Sequence, residues 1–335
     1  MNTYRIIDGH QDISFNSIHI TGKDFLVENT FDQSNLLSAP RLNQSDYVRL
    51  SNSGVKIVFG VSFPYALNDG KIFTDLKFAQ EETSRQLNFY NDLEKRSEGK
   101  VKIIKSKTDL DFVLNTENAL GLVMLVEDAL GIDVTLSNLE LLYDKGLRMV
   151  GIVWNKDNQF GGGTDTENGL TENGRRLLEK MDELGMILDT AHMNKTLFWD
   201  ALKIFKGPVM NSHTCTLALN PHRRNLDDEQ LKAVAERGGV LGIAFVPEFL
   251  NKKVEDATLD DVVAHIKHAV DICGIDYVAF GSDFDGMSWP QYVPTLKDTS
   301  EYNNLIEELE KIYSTEQVEK IIYSNWKNFL YTAIV

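Results

Sequence analysis

Leu120-Gly121-Leu122-Val123-Met124-Leu125-Val126-Glu127 is an apolar run that ends on a carboxylate. A short run without polar side chains suits a strand buried on both faces, because helices usually need about ten or more residues. Similar runs fall at about 4–10, 55–62, 148–154, 186–192, 208–213, 239–245 and 277–283, so 120–127 is the third of eight. A ninth short run, 101–105, reads as a peripheral strand.

Between these runs the spacing predicts helices over 75–96, 135–146, 172–184, 197–205, 227–237, 258–272 and 299–312. Thr171 before Glu172, and the acidic first turn Asp227-Asp228-Glu229, are helix starts. Gly146, Gly185 and Gly238 stand where helices should stop. Strands alternating with helices predict parallel strands joined by right-handed crossovers. Eight of them predict an α/β fold, a closed (β/α)8 TIM barrel. It would form a single domain over 1–335, with C-terminal helices over about 299–335 packed on it. An open doubly wound sheet also satisfies the pattern, but no Gly-x-Gly-x-x-Gly follows the first strand. Gly161-Gly162-Gly163 lacks a following Lys-Ser/Thr and reads as a flexible loop.

Composition narrows the partners. The chain has 335 residues, 42% of them hydrophobic and 25% charged, as in an ordinary globular protein. Its net charge of -16 argues against nucleic acid or an anionic membrane surface as the main partner. Two cysteines, Cys215 and Cys273, are too few for a disulfide framework and read as reduced thiols. The opening Met1-Asn2-Thr3-Tyr4 carries no basic region or long apolar core, and no run approaches a membrane span. The expectation is a cytoplasmic protein.

Chemistry gathers at the strand ends. Strand one ends in Asp8-Gly9-His10-Gln11-Asp12, strand three at Glu127, strand five at His192, strand six at His213 and strand eight at Asp283. In a strand, positions i and i+2 face the same side, so His10 and Asp12 could face one cation. Each residue alone also reads as a hydrogen-bonded turn, a satisfied core histidine or a solvated loop acid. The repetition of ligand types at the carboxyl ends of five strands is what predicts a shared metal site, because barrels build active sites there. His222-Arg223-Arg224-Asn225 follows His213 closely. Its arginines could hold a substrate carboxylate, or form a solvated helix entry beside Asp227 and Asp228. His19 lies in a surface-like segment, His222 could line the site, and His265 and His268 read as packing or surface residues.

These motifs resemble the membrane (renal) dipeptidase family, peptidase family M19, of the amidohydrolase-like barrels. The resemblance runs from residue 6 to about 290 through Asp8-Gly9-His10-Gln11-Asp12, Val126-Glu127, Asp189-Thr190-Ala191-His192, Ser212-His213, Arg223-Arg224-Asn225 and Gly281-Ser282-Asp283-Phe284-Asp285-Gly286. It implies a dipeptidase acting on small dipeptides, some with a D-residue at the carboxyl end, and a homodimer. It also implies two zinc ions per chain: His10 and Asp12 on one, His192 and His213 on the other, Glu127 bridging, and a hydroxide between them. Asp283 would move the proton and Arg224 would hold the substrate carboxylate, with Arg223 the second candidate.

Two positions depart from the family pattern. Trp154, in Val153-Trp154-Asn155, stands where a histidine is common, so Trp154 or Asn155 would take its substrate-binding place. Asp128 stands where glycine commonly follows the bridging glutamate, and could tune the metals or attract a basic group. Lactone, amide or deamination chemistry on the same metals is the alternative activity, and a ligand-binding barrel without turnover is a third.

Overall fold

The computed structural model describes residues 4–29, 43–68, 71–287 and 292–334. The opening Met1-Asn2-Thr3, used above to judge a leader, lies outside them. Eight strands form the barrel: β1 (Ile6–Gln11), β2 (Val55–Ser62), β3 (Leu120–Glu127), β4 (Leu147–Gly151), β5 (Ile187–Asp189), β6 (Val209–Thr214), β7 (Leu241–Ile243) and β8 (Val278–Phe280). Each pairs in parallel with its neighbour, β8 returns to β1, and β2 meets β3 along Ile57–Ser62. The sheet is therefore closed, as the count of eight predicts. Every residue of these strands is buried, which explains their largely apolar character; the polar ends of β1 and β6 are the main exceptions. The ninth run is an edge strand, Val101–Ile103, paired with Leu120–Leu122 of β3 outside the ring.

Helices start and stop where local chemistry provides for it. Thr171 accepts the Gly174 N–H, and Asp227 forms a capping box with Gln230. Gly146 and Gly185 close their helices with φ of 115° and 65°. The helix expected over 135–146 begins only at Leu139, because the Asp133 carboxylate takes the N–H groups of Thr135, Ser137 and Asn138 and holds a turn there. Several elements were not foreseen: helices Lys107–Asn115 and Tyr47–Asn52, a short helical turn from Ile13 to Thr21, and a hairpin of Ala66–Asn68 with Lys71–Phe73. Lys107–Asn115 carried a legible signal, since Ser106 and Asp109 cap it.

After β8 the chain forms helices Tyr302–Glu310, Thr315–Glu319 and Asn325–Ala333. Trp326 anchors the last one. It is fully buried, lies 4.8 Å from the Phe59 ring, and donates its indole N–H to the Phe280 carbonyl at 2.8 Å. Among the described residues, no helix is long and apolar enough to cross a membrane.

Candidate metal centre

The strands deliver their polar side chains at one end. His10 sits on β1, Glu127 closes β3, and His213 is the penultimate residue of β6. His192 and Asp283 each lie three residues beyond a strand, and both hold left-handed backbone with φ of 64°. Non-glycine residues adopt that conformation at a cost, so the surrounding packing must impose it. Asp12 lies one residue past β1 rather than within it. It meets His10 through the turn that follows, not through the alternation of a strand.

Glu127 is the centre of the cluster. Its Oε1 is 2.6 Å from His192 Nε2 and 3.7 Å from His213 Nε2, and its Oε2 is 3.6 Å from His10 Nε2. His192 Nε2 and His213 Nε2 are 3.1 Å apart. His10 Nε2 lies 3.4 Å from Asp12 Oδ2 and 3.8 Å from Asp283 Oδ1. The Glu127 carboxylate thus divides the cluster into a His10/Asp12 half and a His192/His213 half. The ligand atoms of His10, Glu127 and His213, and those of His10, Asp12 and Asp283, each lie within 4.8 Å of one another.

This donor set fits a divalent cation. His10 Nε2 is buried and has no hydrogen-bond partner among the described residues. Three carboxylates and three imidazoles are packed together away from water, which is costly without a cation among them. Mixed nitrogen and oxygen ligands suit zinc and similar ions.

Electrostatics divide the histidines: burial pulls the His10 imidazole down, but Asp12 and Glu127 outweigh it and hold it well above its ordinary value, whereas His213 and His192 are lowered. Burial drives the His213 imidazole well below its ordinary value, and the charge of His10 adds to it. Burial, with Arg224 nearby, pushes His192 down to about 3, leaving it the neutral imidazole a metal needs. For Glu127, burial pulls upward, but His192 and His10 outweigh it and hold the carboxyl well below its usual range. Asp283 goes the other way: burial, Asp12 and Glu127 raise it well above a normal carboxyl. Gly286 makes room for this crowding, since a Cβ there would lie 2.4 Å from Asp12 Oδ2 and 2.6 Å from Asp283 Oδ1.

A cavity of about 280 Å³ opens over the cluster, with Trp154, Arg224 and Phe249 among its walls. Arg224 is buried, its Nη2 donates to the His213 carbonyl at 3.1 Å, and its guanidinium lies 5.2 Å from the Phe249 ring centre. Its Nε has no partner among the described residues. Arg223 also reaches the cavity, but it is half exposed and paired with Asp165 at 2.5 Å. Asn155 borders the cavity while its Oδ1 faces His192 Nδ1 at 3.0 Å and accepts from Thr164 at 2.9 Å. His222 lines the wall as expected, stacked on Phe249. Phe15, Phe63 and Met287 line it too. Nothing in sequence distinguishes those three from core residues.

Asp128 does not project to substrate or metals as a free acid. Its carboxylate accepts from the Tyr65 hydroxyl at 2.5 Å, Asn158 Nδ2 at 2.6 Å and the Leu130 N–H at 2.9 Å. The other histidines are structural. His19 lies 2.7 Å from Glu82, His265 is buried against Thr216 and Leu250, and His268 pairs with Asp228.

The sequence profile of the membrane dipeptidase family, peptidase family M19, matches residues 1–331. The chain belongs to this family. As an M19 member it is a hydrolase of the metallopeptidase type, which implies a metal and a small peptide substrate. Among curated relatives, an uncharacterized protein in the pqqA 5' region of Klebsiella pneumoniae is 33% identical over 258 residues, covering 73% of this chain and 94% of that protein. The dipeptidase tcpJ of Claviceps purpurea is 37% identical over 194 residues, covering 56% of this chain and 45% of that protein. Among solved structures, a metallopeptidase from Rhodobacter sphaeroides liganded with a phosphinate mimic of L-Ala-D-Ala superposes with a TM-score of 0.86 at 23% identity, over 99% of this chain and all of that one. That likeness supports the M19 fold.

Proposed function

We propose that this M19 member is a zinc-dependent dipeptidase with two ions per chain. His10 and Asp12 would hold one, His192 and His213 the other, with Glu127 between them. The observation that carries the reading is the split of the Glu127 carboxylate, one oxygen toward His192 and His213 and the other toward His10. Bound zinc would acidify a water and polarise the scissile carbonyl.

The chain's own residues do the rest. The buried guanidinium of Arg224, whose Nε has no partner among the described residues, takes the substrate's terminal carboxylate through charge-assisted hydrogen bonds. That contact sets the peptide bond over the centre. Asp283, beside His10 and raised in pKa, accepts the proton of the attacking water and gives it to the leaving amine. The new C–O bond forms first, and the peptide C–N bond breaks once its nitrogen is protonated, yielding one free carboxylate and one free amine. Trp154 packs against Phe63 and Tyr65 and supplies an apolar wall with one indole donor where a titrating group is common.

The test is a panel of L,L and L,D dipeptides beside N-blocked dipeptides, dipeptide amides and lactones. Cleavage of free dipeptides, including some with a D-residue at the carboxyl end, is expected. Turnover of lactones alone would overturn the dipeptidase reading.

A further inference from the structure

Ser212 lies on β6, one residue before His213, and is fully buried. Its Oγ is 3.1 Å from His10 Nδ1 and 2.8 Å from His213 Nδ1. Those rings belong to opposite halves of the cluster. A histidine that offers its Nε2 lone pair to a cation carries its proton on Nδ1. Both Nδ1–H groups then point at the same oxygen. A hydroxyl oxygen has two lone pairs and can accept both, provided its own hydrogen goes elsewhere.

Asp189, the last residue of β5, faces Ser212 and is the carboxylate placed to take that hydrogen. Its Oδ1 already takes the Ser212 backbone N–H at 2.9 Å and the Ala191 N–H at 3.0 Å. Burial pushes the Asp189 carboxyl up, and the hydrogen bonds from Ser212 act against that rise. The backbone of Ser212 is closely packed. A Cβ on Gly242 or Gly281 would lie 2.0 Å or 1.9 Å from the Ser212 carbonyl oxygen, so β7 and β8 close on it directly.

We infer that Ser212 is a positioning residue shared by both halves of the metal centre: one hydroxyl, backed by Asp189, fixes the tautomer and ring orientation of His10 and His213 together. The inference rests on the two-ion reading above. His192 supplies the internal comparison, because its Nδ1 faces Asn155 rather than Ser212. Removing the serine hydroxyl should therefore weaken both half-sites, and removing the Asn155 amide only one.

The experiment is a competitive zinc titration of metal-free protein against a chromophoric chelator, with wild type, Ser212→Ala and Asn155→Ala. Wild type should take two equivalents. In Ser212→Ala both dissociation constants should rise by roughly 10- to 100-fold, the range for an outer hydrogen bond to a metal-bound histidine. In Asn155→Ala only one should rise. Constants unchanged in Ser212→Ala, or a rise in one alone, overturn the inference, and a lower melting temperature with unchanged zinc affinity marks a merely structural serine. Fewer than two equivalents in wild type would overturn the two-ion reading itself, and this inference with it. Long-range ¹H–¹⁵N NMR of the zinc-loaded wild type is a second readout that needs no variant. Protonated Nδ1 on both His10 and His213 is expected, and a protonated Nε2 on either contradicts the assignment.

Discussion

Tyr65 donates its hydroxyl hydrogen to Asp128 at 2.5 Å while its ring packs 5.3 Å from that of Trp154. The two departures from the family pattern are thus joined through one tyrosine. Burial pushes Asp128 up to about 6 even with Tyr65 and Asn158 acting against it, so the carboxylate depends on its donors. Tyr65→Phe keeps the ring and removes one of them. The expected cost is about 1–3 kcal/mol of stability. Urea unfolding of wild type and variant measures it, and equal midpoints would show that the pair does not brace the Trp154 wall.

Acid sensitivity should appear at Glu82. This buried carboxyl meets His19 at 2.7 Å and accepts from Gln86 at 2.9 Å. Burial pulls its pKa up, but His19 and Gln86 outweigh that, and the net shift is downward. A lowered folded-state pKa means that the group's stabilisation is present above the ordinary glutamate range and lost as pH falls through the folded value. Glu82→Gln should therefore be less stable than wild type at neutral pH, with the gap closing on acidification below the ordinary range. A gap that stays constant with pH would contradict the assignment.

Asp283→Asn separates proton transfer from metal binding. The variant keeps the shape of the side chain and loses the proposed proton acceptor. Elemental analysis should find the wild-type metal content, with kcat for dipeptides lower by about 10²- to 10⁴-fold. Loss of metal along with activity would make Asp283 a ligand, consistent with its place beside His10 and Asp12.

Arg224→Met tests the carboxylate contact. Charge-assisted hydrogen bonds contribute about 1.5–3 kcal/mol, so kcat/KM for free dipeptides should fall by roughly 10- to 150-fold. Dipeptide amides, which lack the carboxylate, should be nearly unaffected. An equal fall for both substrate types would assign Arg224 a structural role through the His213 carbonyl.

The barrel was legible because the strands are buried on both faces and begin as short apolar, β-branched runs, and because the ligand types recur at the ends of those runs. His10, Glu127, His192 and His213 converge as their positions implied. Asp12 reaches the same place by a different route, a turn beyond the strand. Residue chemistry alone could not separate Arg224 from Arg223; the family resemblance ranks Arg224 first. Burial distinguishes them too, one inside and without a partner at Nε among the described residues, the other half exposed and paired with Asp165. Nor could sequence place the Asp128 carboxylate, whose partners Tyr65 and Asn158 lie 63 and 30 residues away in the chain. Ser212 was visible only as part of a motif, since its neighbours His10 and Asp189 come from other strands.

The proposed centre holds two zinc ions and hydrolyses dipeptides. Its most direct test is to strip the protein with a chelator, add zinc back stepwise and follow cleavage of a free dipeptide. Turnover should vanish on stripping, return with added zinc, and reach its plateau at two equivalents per chain. Undiminished turnover in protein stripped below about a tenth of an equivalent would contradict the account.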